Sequence, residues 1–267
     1  MSKSGTKTED RADRVIVVMP AYNAARTLEK TFRSIPEELR ERVILVDDHS
    51  RDQTVAVARK LGIASIIEHD RNRGYGANQK TCYREALRQR ATIVVMVHPD
   101  NQYDARLIPA FVQFIKAGTC DIILGNRIRT RQDALSGGMP KYKYLANRIL
   151  TLIANCCLGT NLGDFHSGFR VYSRNVLENV AWEDNADDFS FDPEFLAKAV
   201  FLGYRVGDAP IPCSYPADAS SIGFRSSVVY GMQLLIVLGR HLLARLAQCS
   251  QNRRRHGALA SHSRQKP

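Results

Sequence analysis

The sequence predicts an α/β fold in which helices cover both faces of a mainly parallel sheet. Two observations carry this prediction. Short β-branched runs, as at 15–19 and 43–46, each precede a polar loop. Each loop leads into a segment with helical spacing of apolar residues, at 26–35 and 54–61. Strands and helices that alternate at this spacing form one doubly wound sheet.

The same alternation continues through most of the chain. Further strands are predicted at 63–68, 93–97 and 121–124, and further helices at about 77–88, 145–158 and 195–202. A chain of 267 residues can bury one substantial core. No internal repeat or low-complexity linker interrupts residues 14–223, so we expect these residues to form a single domain.

The two ends of the chain differ from this domain in composition. Residues 1–13 and the basic segment 249–267 lack apolar periodicity and are predicted to be disordered tails. Residues 224–248 are predicted to form an amphipathic helix. Because Arg240 and Arg245 interrupt its apolar run, we expect this helix to pack on the core or to lie at a membrane surface, not to span a bilayer.

The charge and the cysteines limit the partners and the compartment. A net charge of +11 and a pI near 9.5 suit an anionic partner. The stacked aromatics and module motifs of nucleic-acid binders are missing, so we expect no nucleic acid partner. The six cysteines form no CxxC pair, which argues against a zinc site and a disulfide framework. Together with the polar N-terminus, these features predict a cytoplasmic protein. A location at the inner face of the membrane is an alternative.

Polar residues collect where three of the predicted strands end. They lie at 20–23, 47–54 and 98–102. In a doubly wound sheet, ligands bind at the carboxyl ends of the strands. These three loops are therefore predicted to carry the binding groups.

Two of the polar segments allow more than one interpretation. Asp48 directly follows a buried strand and is predicted to bind a ligand, whereas Asp52 is predicted to cap the following helix. The glycine-rich segment 72–78 resembles a phosphate loop but lacks a full nucleotide fingerprint. Its glycines permit close backbone packing equally well, and the close-packing interpretation is slightly favoured.

The loop at 98–102 is a candidate metal site. His98 supplies an imidazole, Asp100 a carboxylate and Gln102 an amide carbonyl at alternate positions. Hard divalent ions prefer oxygen ligands, and few protein ligands suffice when a diphosphate supplies the others. The alternative is a proline-induced turn in which Asp100 caps locally.

Six motifs together resemble the inverting family 2 glycosyltransferases, in particular the branch with dolichol-phosphate mannose synthase and related polyprenyl-phosphate sugar transferases. The motifs are Val-Met-Pro-Ala-Tyr-Asn (18–23), Val-Asp-Asp-His-Ser-Arg-Asp (46–52), 72–76, Pro-Asp-Asn-Gln (99–102), Gly-Asn-Arg (125–127) and Ser-Gly-Phe-Arg (167–170). The resemblance covers about 14–224 and implies the Rossmann-like GT-A fold.

The resemblance also implies roles for individual residues. It places Pro20, Tyr22, Val46, Asp48, Pro99 and Asp100 at the nucleotide sugar, and Asp100 and Gln102 at Mg²⁺ or Mn²⁺ and the diphosphate. Arg127 and Arg170 are implied to contact phosphates, with Arg170 and Asp100 among the catalytic residues. Two positions depart from the family pattern. Ala24 replaces a glutamate, and His98 replaces the first acidic residue of the metal motif, which favours manganese over magnesium if the imidazole binds the ion.

The function implied is hexose transfer from a UDP- or GDP-sugar to a polyprenyl phosphate, with inversion. An ionised phosphate needs no base, whereas a sugar or small-molecule hydroxyl acceptor needs a carboxylate to take its proton. For that alternative, Asp164 is preferred as the base to Asp192 or Glu194, which can cap a helix. A non-catalytic nucleotide-sugar-binding protein is the third reading. Peripheral membrane contact and a homo-oligomer remain open.

Overall fold

The structure is a computed structural model that describes residues 13–128, 130–214 and 228–243. Within these residues, seven strands form one sheet in the order β3-β2-β1-β4-β6-β5-β7. The strands are β1 (Val15–Ala21), β2 (Val43–Asp47), β3 (Ser65–Glu68), β4 (Ile93–Val97), β5 (Ile122–Asn126), β6 (Phe169–Ser173) and β7 (Val206–Pro210).

Helices connect these strands and cover the sheet. They are α1 (Leu28–Ser34), α2 (Glu37–Arg40), α3 (Thr54–Lys60), α4 (Tyr75–Arg88), α5 (Ile108–Lys116), α6 (Arg131–Ser136), α7 (Lys141–Leu158), α8 (Arg174–Asn179) and α9 (Phe191–Phe201). Two 3₁₀ turns lie at Ala105–Leu107 and Trp182–Asp184. Residues 228–243 form a further helix, α10.

The sheet is parallel except around one strand. β6 runs antiparallel to both of its neighbours, β4 and β5, and the other pairs are parallel. This arrangement confirms the predicted mainly parallel sheet. The reversal of β6 also brings its first residues to the edge where β4 and β5 end.

Alternate residues of each central strand enter two different cores. Ile16 and Val18 face one core with helices α4, α7 and α9, while Val17 and Met19 face the other with helices α1 and α5. Successive side chains of a strand point to opposite faces, so a strand covered on both faces is apolar throughout. The predicted helical cover on both faces is thus confirmed.

Some element boundaries differ from the prediction. Helix α7 begins at Lys141 instead of 145, directly after Pro140, and α9 begins at Phe191 instead of 195. β7 was not predicted, because its residues include glycine, aspartate and proline, which have low strand propensity. Its pairing with β5 forms the strand despite that composition.

The described part of the predicted C-terminal helix is helical and packs on the core. Leu234, Val237 and Leu238 of α10 are buried in the core that also contains Ala154 and Leu158 of α7. In residues 13–128, 130–214 and 228–243, no helix combines the length and apolar character needed to cross a bilayer. The remainder of the predicted helix and, apart from Asp13, the two predicted tails lie outside the described residues.

Candidate functional site

Hydrogen bonds join the loops that follow β1, β2 and β4. Thr27 Oγ1 donates to the carbonyl oxygen of Pro99 at 2.6 Å. The backbone N–H of Ala24 donates to Thr54 Oγ1 at 2.8 Å. The three polar loops therefore meet at the carboxyl edge of the sheet, as the sequence indicates.

The start of β6 lies against the same loops. The backbone N–H of Gly168 donates to Tyr103 Oη at 2.6 Å, and the N–H of His98 donates to the carbonyl oxygen of Gly168 at 3.3 Å. The motif at 167–170 thus reaches the site because β6 is antiparallel. The loop that follows β5 is the next part of the site, and it begins at Arg127.

Asp48 is buried and its carboxylate binds neighbouring backbone. Oδ1 accepts from the N–H of Arg73 at 2.8 Å and lies 2.7 Å from His69 Nδ1, and Oδ2 accepts from the N–H of Gly74 at 2.9 Å. The side chain therefore holds the glycine-rich segment against the end of β2. This geometry gives no support to the predicted ligand contact of Asp48.

The glycine-rich segment packs against protein backbone. The N–H of Gly76 donates to the carbonyl oxygen of Asp187 at 2.7 Å, and a Cβ at Gly76 would overlap the carbonyl oxygen of Ala186. Lys80 reinforces the contact, with Nζ 2.7 Å from Asp187 Oδ1. The close-packing interpretation of 72–78 therefore fits the structure, and Asp52 accepts hydrogen bonds from Thr54 and from the N–H of Ala25.

Of the predicted nucleotide-binding residues after β1 and β2, Tyr22 alone has a large exposed surface. It is 44% exposed. Pro20 is buried next to Val46 in the parallel pair β1–β2, and Val46 is fully buried in the core. Val46 has no exposed surface in this arrangement, so its contact with the nucleoside stays a prediction. Pro99 is also buried, and its carbonyl oxygen is used by Thr27.

His98 belongs to a hydrogen-bonded chain with Tyr75 and Asp192. Tyr75 Oη lies 2.8 Å from Asp192 Oδ2 and 3.0 Å from His98 Nε2. Because a carboxylate only accepts, Tyr75 donates to Asp192 and accepts from the Nε2–H of His98. The other ring nitrogen, Nδ1, packs against Gly168. Nε2 is thus occupied by Tyr75 and Nδ1 faces Gly168, and the metal role of His98 stays a prediction.

Arg170 and Asp192 form a buried ion pair below the site. Arg170 Nη2 lies 3.0 Å from Asp192 Oδ2, and Arg170 Nε donates to the carbonyl oxygen of Ser167 at 2.8 Å. Gln79 Nε2 donates to the second oxygen, Asp192 Oδ1, at 3.0 Å. Because Arg170 is almost fully buried, the structure does not support its predicted contact with a substrate phosphate.

Asp164 and Arg127 form a second buried pair. Arg127 Nε lies 2.7 Å from Asp164 Oδ2, Nη2 lies 3.1 Å from Oδ1, and Asn147 Nδ2 donates to Oδ1 at 2.9 Å. Burial alone would raise the pKa of Asp164, but the charge and hydrogen bonds of Arg127 outweigh it and hold the pKa well below its usual range. Asp164 therefore fixes the guanidinium of Arg127 at the end of β5.

Lys143 is a cation near this pair that the motifs do not indicate. It is half-buried in the first turn of α7, and burial together with the charge of Arg127 lowers its pKa. An anion close to both cations would favour the charged form of Lys143. The signal in the sequence was the start of α7, which was predicted one turn too late to place Lys143 on the helix.

The comparison with protein families identifies this arrangement. The family described as "Glycosyl transferase family 2" matches residues 16–181, which is more than half of the chain. The chain belongs to glycosyl transferase family 2. It is therefore an enzyme, a glycosyltransferase, and its seven-stranded sheet is the GT-A-like fold.

The glycosyltransferase is similar to archaeal enzymes and to bacterial structures. It is 28% identical over 207 residues to the dolichyl-phosphate hexose transferase of Haloferax volcanii, covering 77% of this chain and 85% of that protein. It is 24% identical over 240 residues to the UDP-N-acetylglucosamine–dolichyl-phosphate N-acetylglucosaminyltransferase of Methanococcus voltae, covering 84% and 94%. Glucosyl-3-phosphoglycerate synthase of Mycobacterium tuberculosis, in complex with Mn²⁺, UDP-glucose and phosphoglyceric acid, shares the fold with a TM-score of 0.65 at 18% identity, covering 86% and 80%.

The residues at the end of β4 offer oxygen atoms of the kind that hard divalent cations prefer. Asp100 Oδ1 accepts from the N–H of Gln102 at 3.0 Å, and Oδ2 accepts no hydrogen bond from the described residues. Burial raises the pKa of Asp100, so a bound cation would stabilise its charged form. Over the described ranges, no three His, Cys, Asp or Glu side chains are grouped to hold a metal. The family's Mg²⁺ or Mn²⁺ would thus depend on Asp100, Gln102 and oxygens of the donor diphosphate.

Proposed function

We propose that this glycosyltransferase moves a hexose from a UDP- or GDP-sugar to a polyprenyl phosphate, with inversion at the anomeric carbon. One observation carries the proposal: each of the two carboxylates best placed to be a base, Asp164 and Asp192, is held by an arginine. A phosphate acceptor needs no such base.

A general base needs a free lone pair and a pKa near the working pH. The pKa of Asp164 is held low by Arg127, and its two oxygens accept hydrogen bonds from Arg127, Asn147 and the N–H of His166. Both oxygens of Asp192 are likewise occupied, by Tyr75, Arg170 and Gln79. Neither carboxylate is arranged to take a proton from a hydroxyl. We therefore assign Asp164 as the positioning residue of Arg127.

The cations near Asp164 suit a phosphate. We assign Arg127, whose side chain is 11% exposed, and half-buried Lys143 to an anionic group of the acceptor or the donor. A guanidinium held in place by a carboxylate loses little freedom when it binds a phosphate. Burial is the larger cause of the lowered pKa of Lys143, and the smaller cause, repulsion by Arg127, would be relieved by the same phosphate.

The donor is assigned to the loops after β1 and β4. Tyr22 offers an exposed ring to the nucleotide, and Asp100 with Gln102 would hold the metal beside the diphosphate. When bound, the metal neutralises charge on the departing nucleotide diphosphate. A phosphate oxygen of the acceptor forms the new bond to the anomeric carbon from the opposite side as the bond to the nucleotide diphosphate breaks. No proton has to be removed in this step.

The names of the archaeal relatives support a polyprenyl-phosphate acceptor, because two of them act on dolichyl phosphate. Such an acceptor resides in a membrane. We therefore propose that the enzyme works at the cytoplasmic face of a membrane through peripheral contact.

A labelled-donor assay tests this function. The purified full chain is incubated with Mn²⁺ or Mg²⁺, with each of a panel of labelled UDP- and GDP-sugars, and with either a polyprenyl phosphate or a panel of soluble sugars. We expect label in the lipid phosphate for one donor class and loss of transfer with chelator. Transfer to a soluble sugar, with none to the lipid phosphate, would refute the proposal. Donor binding without transfer to any acceptor would favour a non-catalytic binding protein.

A further inference from the structure

Helix α7 carries an exposed apolar stripe along the side that faces away from the site. Leu145 is 60% exposed and Leu152 is 63% exposed. The stripe repeats at intervals of three and four residues, so its side chains project from one face of the helix. It consists of Tyr142, Leu145, Ile149 and Leu152.

Helix α10 extends this apolar surface. A Cβ on Gly231 would lie 3.6 Å from Leu150 Cδ1, so α10 lies beside α7. One face of α10 is buried in the core, and the rest exposes large apolar side chains, with Met232 at 61%. Its exposed side chains include Val229, Met232, Ile236 and Leu243. Contiguous apolar patches of this kind mark sites of contact with proteins or membranes.

The charge of these helices selects between the two kinds of partner. Neither α7 nor residues 228–243 contain an acidic residue, while exposed Lys141, Arg148 and Arg240 are basic. The sequence after residue 218 contains eight Lys and Arg residues and no Asp or Glu. An apolar face with basic residues and no acidic residue suits an anionic lipid surface, where cations meet headgroups and apolar side chains meet acyl chains.

We propose that the exposed faces of α7 and α10 form a docking surface for an anionic lipid bilayer. This surface would bring the enzyme to a membrane-resident acceptor, so its role rests on the proposed function. The opposite face of α7 carries Asn147, which contacts Asp164 and hence the site. A bilayer on the outer face would therefore lie about one helix diameter, roughly 10 Å, from the cations near Asp164. A phosphate at the end of a membrane-resident lipid could reach them from that distance.

Vesicle sedimentation with the full chain tests the surface. The double variant Leu145→Glu/Leu152→Glu places two negative charges on the stripe. The control Gln113→Glu/Phe114→Glu places two on exposed positions of α5, which packs on the other face of the sheet. Phosphatidylcholine vesicles are compared with vesicles containing phosphatidylglycerol. Unfolding midpoints close to the wild-type value confirm that both variants fold.

We expect the wild type to bind the anionic vesicles more tightly than the neutral ones. The α7 variant should bind at least about tenfold more weakly, because it lacks two apolar side chains that would enter the bilayer and its new charges are repelled by the anionic lipids. The control should stay within about twofold of the wild type. Failure of the wild type to bind, or equal binding of the α7 variant, would overturn the inference. Light scattering that shows a dimer, converted to a monomer by the α7 variant, would overturn it as well and make the face a subunit interface.

A second assay separates this inference from the proposed function. Transfer is measured without vesicles, to a short water-soluble polyprenyl phosphate. If transfer occurs but vesicle binding fails, the docking surface is wrong and the proposed function stands. If the vesicles are bound through α7 but no acceptor is glycosylated, the docking surface stands and the proposed function fails.

Discussion

Asp164 and Arg127 form an ion pair in which the carboxylate is fully buried and two guanidinium nitrogens reach it at 2.7 and 3.1 Å. Removing one partner of a buried pair leaves an uncompensated charge. We therefore expect Asp164→Asn to lower the free energy of unfolding by about 3 kcal/mol. Denaturant unfolding of the single variants and of Asp164→Asn/Arg127→Gln measures the coupling in a double-mutant cycle.

The control for this prediction is an exposed pair. Glu29 and Arg33 lie 2.9 Å apart on the surface of α1. Glu29→Gln should therefore lower the free energy of unfolding by less than about 1 kcal/mol. Equal costs for the buried and exposed pairs would contradict the positioning role of Asp164. Because Asp164→Asn also disturbs Arg127, loss of transfer in this variant does not by itself identify a base.

Asp100 and His98 should differ in their effect on metal binding. Asp100→Asn removes the carboxylate that we assign to the metal, so Mn²⁺ should no longer raise the unfolding midpoint in the presence of UDP. Activity should fall by about a hundredfold or more, since even indirect partners of a metal cost ten- to a hundredfold.

His98→Gln should keep the Mn²⁺-dependent shift of that midpoint. It should lower the free energy of unfolding by about 1–3 kcal/mol, because it alters the hydrogen bond to Tyr75 and leaves the Tyr75 hydroxyl poorly satisfied. Loss of the metal response in His98→Gln would show that the imidazole is a ligand after all.

Gly76 should tolerate no side chain. Its Cβ would overlap the carbonyl oxygen of Ala186, so Gly76→Ala should destabilise the fold by about 1–3 kcal/mol. Gly239, inside α10, has open space around its Cβ position, and Gly239→Ala should stabilise by about 0.5–1 kcal/mol. Unfolding by denaturant measures both. If Gly76→Ala kept its stability and weakened donor binding instead, the phosphate-loop interpretation would be correct.

Stability should fall as the pH drops below 6.5. Burial lowers the pKa of His166 from its usual 6.5 to about 4. The unfolded chain therefore takes up this proton first, and stability is complete above about pH 6.5 and is lost as the pH falls towards 4. The loss from His166 should reach about 3 kcal/mol, at about 1.4 kcal/mol per pKa unit.

His166→Phe should flatten the pH dependence of the unfolding midpoint between pH 7.5 and 5, because it removes the titrating ring. The control His49→Asn removes an exposed histidine whose backbone is left-handed, a conformation that asparagine accepts. It should keep the wild-type slope. A steep slope in His166→Phe would assign the pH dependence to other groups.

The sequence was sufficient to predict the sheet and the edge that carries the site. Apolar runs that end in polar residues are a local signal, and this signal places Asp100 where the structure has it. Alternation alone does not tell which side chains of a fully covered strand reach a ligand. The nucleotide role of Val46 came from the resemblance, and its side chain lies in the core.

The ion pairs could not be predicted because they depend on distant parts of the chain. Arg127 and Asp164 are 37 residues apart and meet only when the loop before β6 returns to the end of β5. Arg170 was predicted to bind phosphate from its motif, but the reversal of β6 places it below the site, next to Asp192. For the same reason, the sequence did not show that Arg127 binds both oxygens of Asp164.

One comparison tests most directly whether this enzyme uses an acceptor that needs no base. The purified full chain is given its donor, Mn²⁺ and either a polyprenyl phosphate or the neutral polyprenol of the same chain length. Because Asp164 and Asp192 are both held by arginines, we expect transfer to the phosphate and at least about a hundredfold less to the alcohol. Comparable transfer to the alcohol would contradict the account, since it would require a base that neither carboxylate provides.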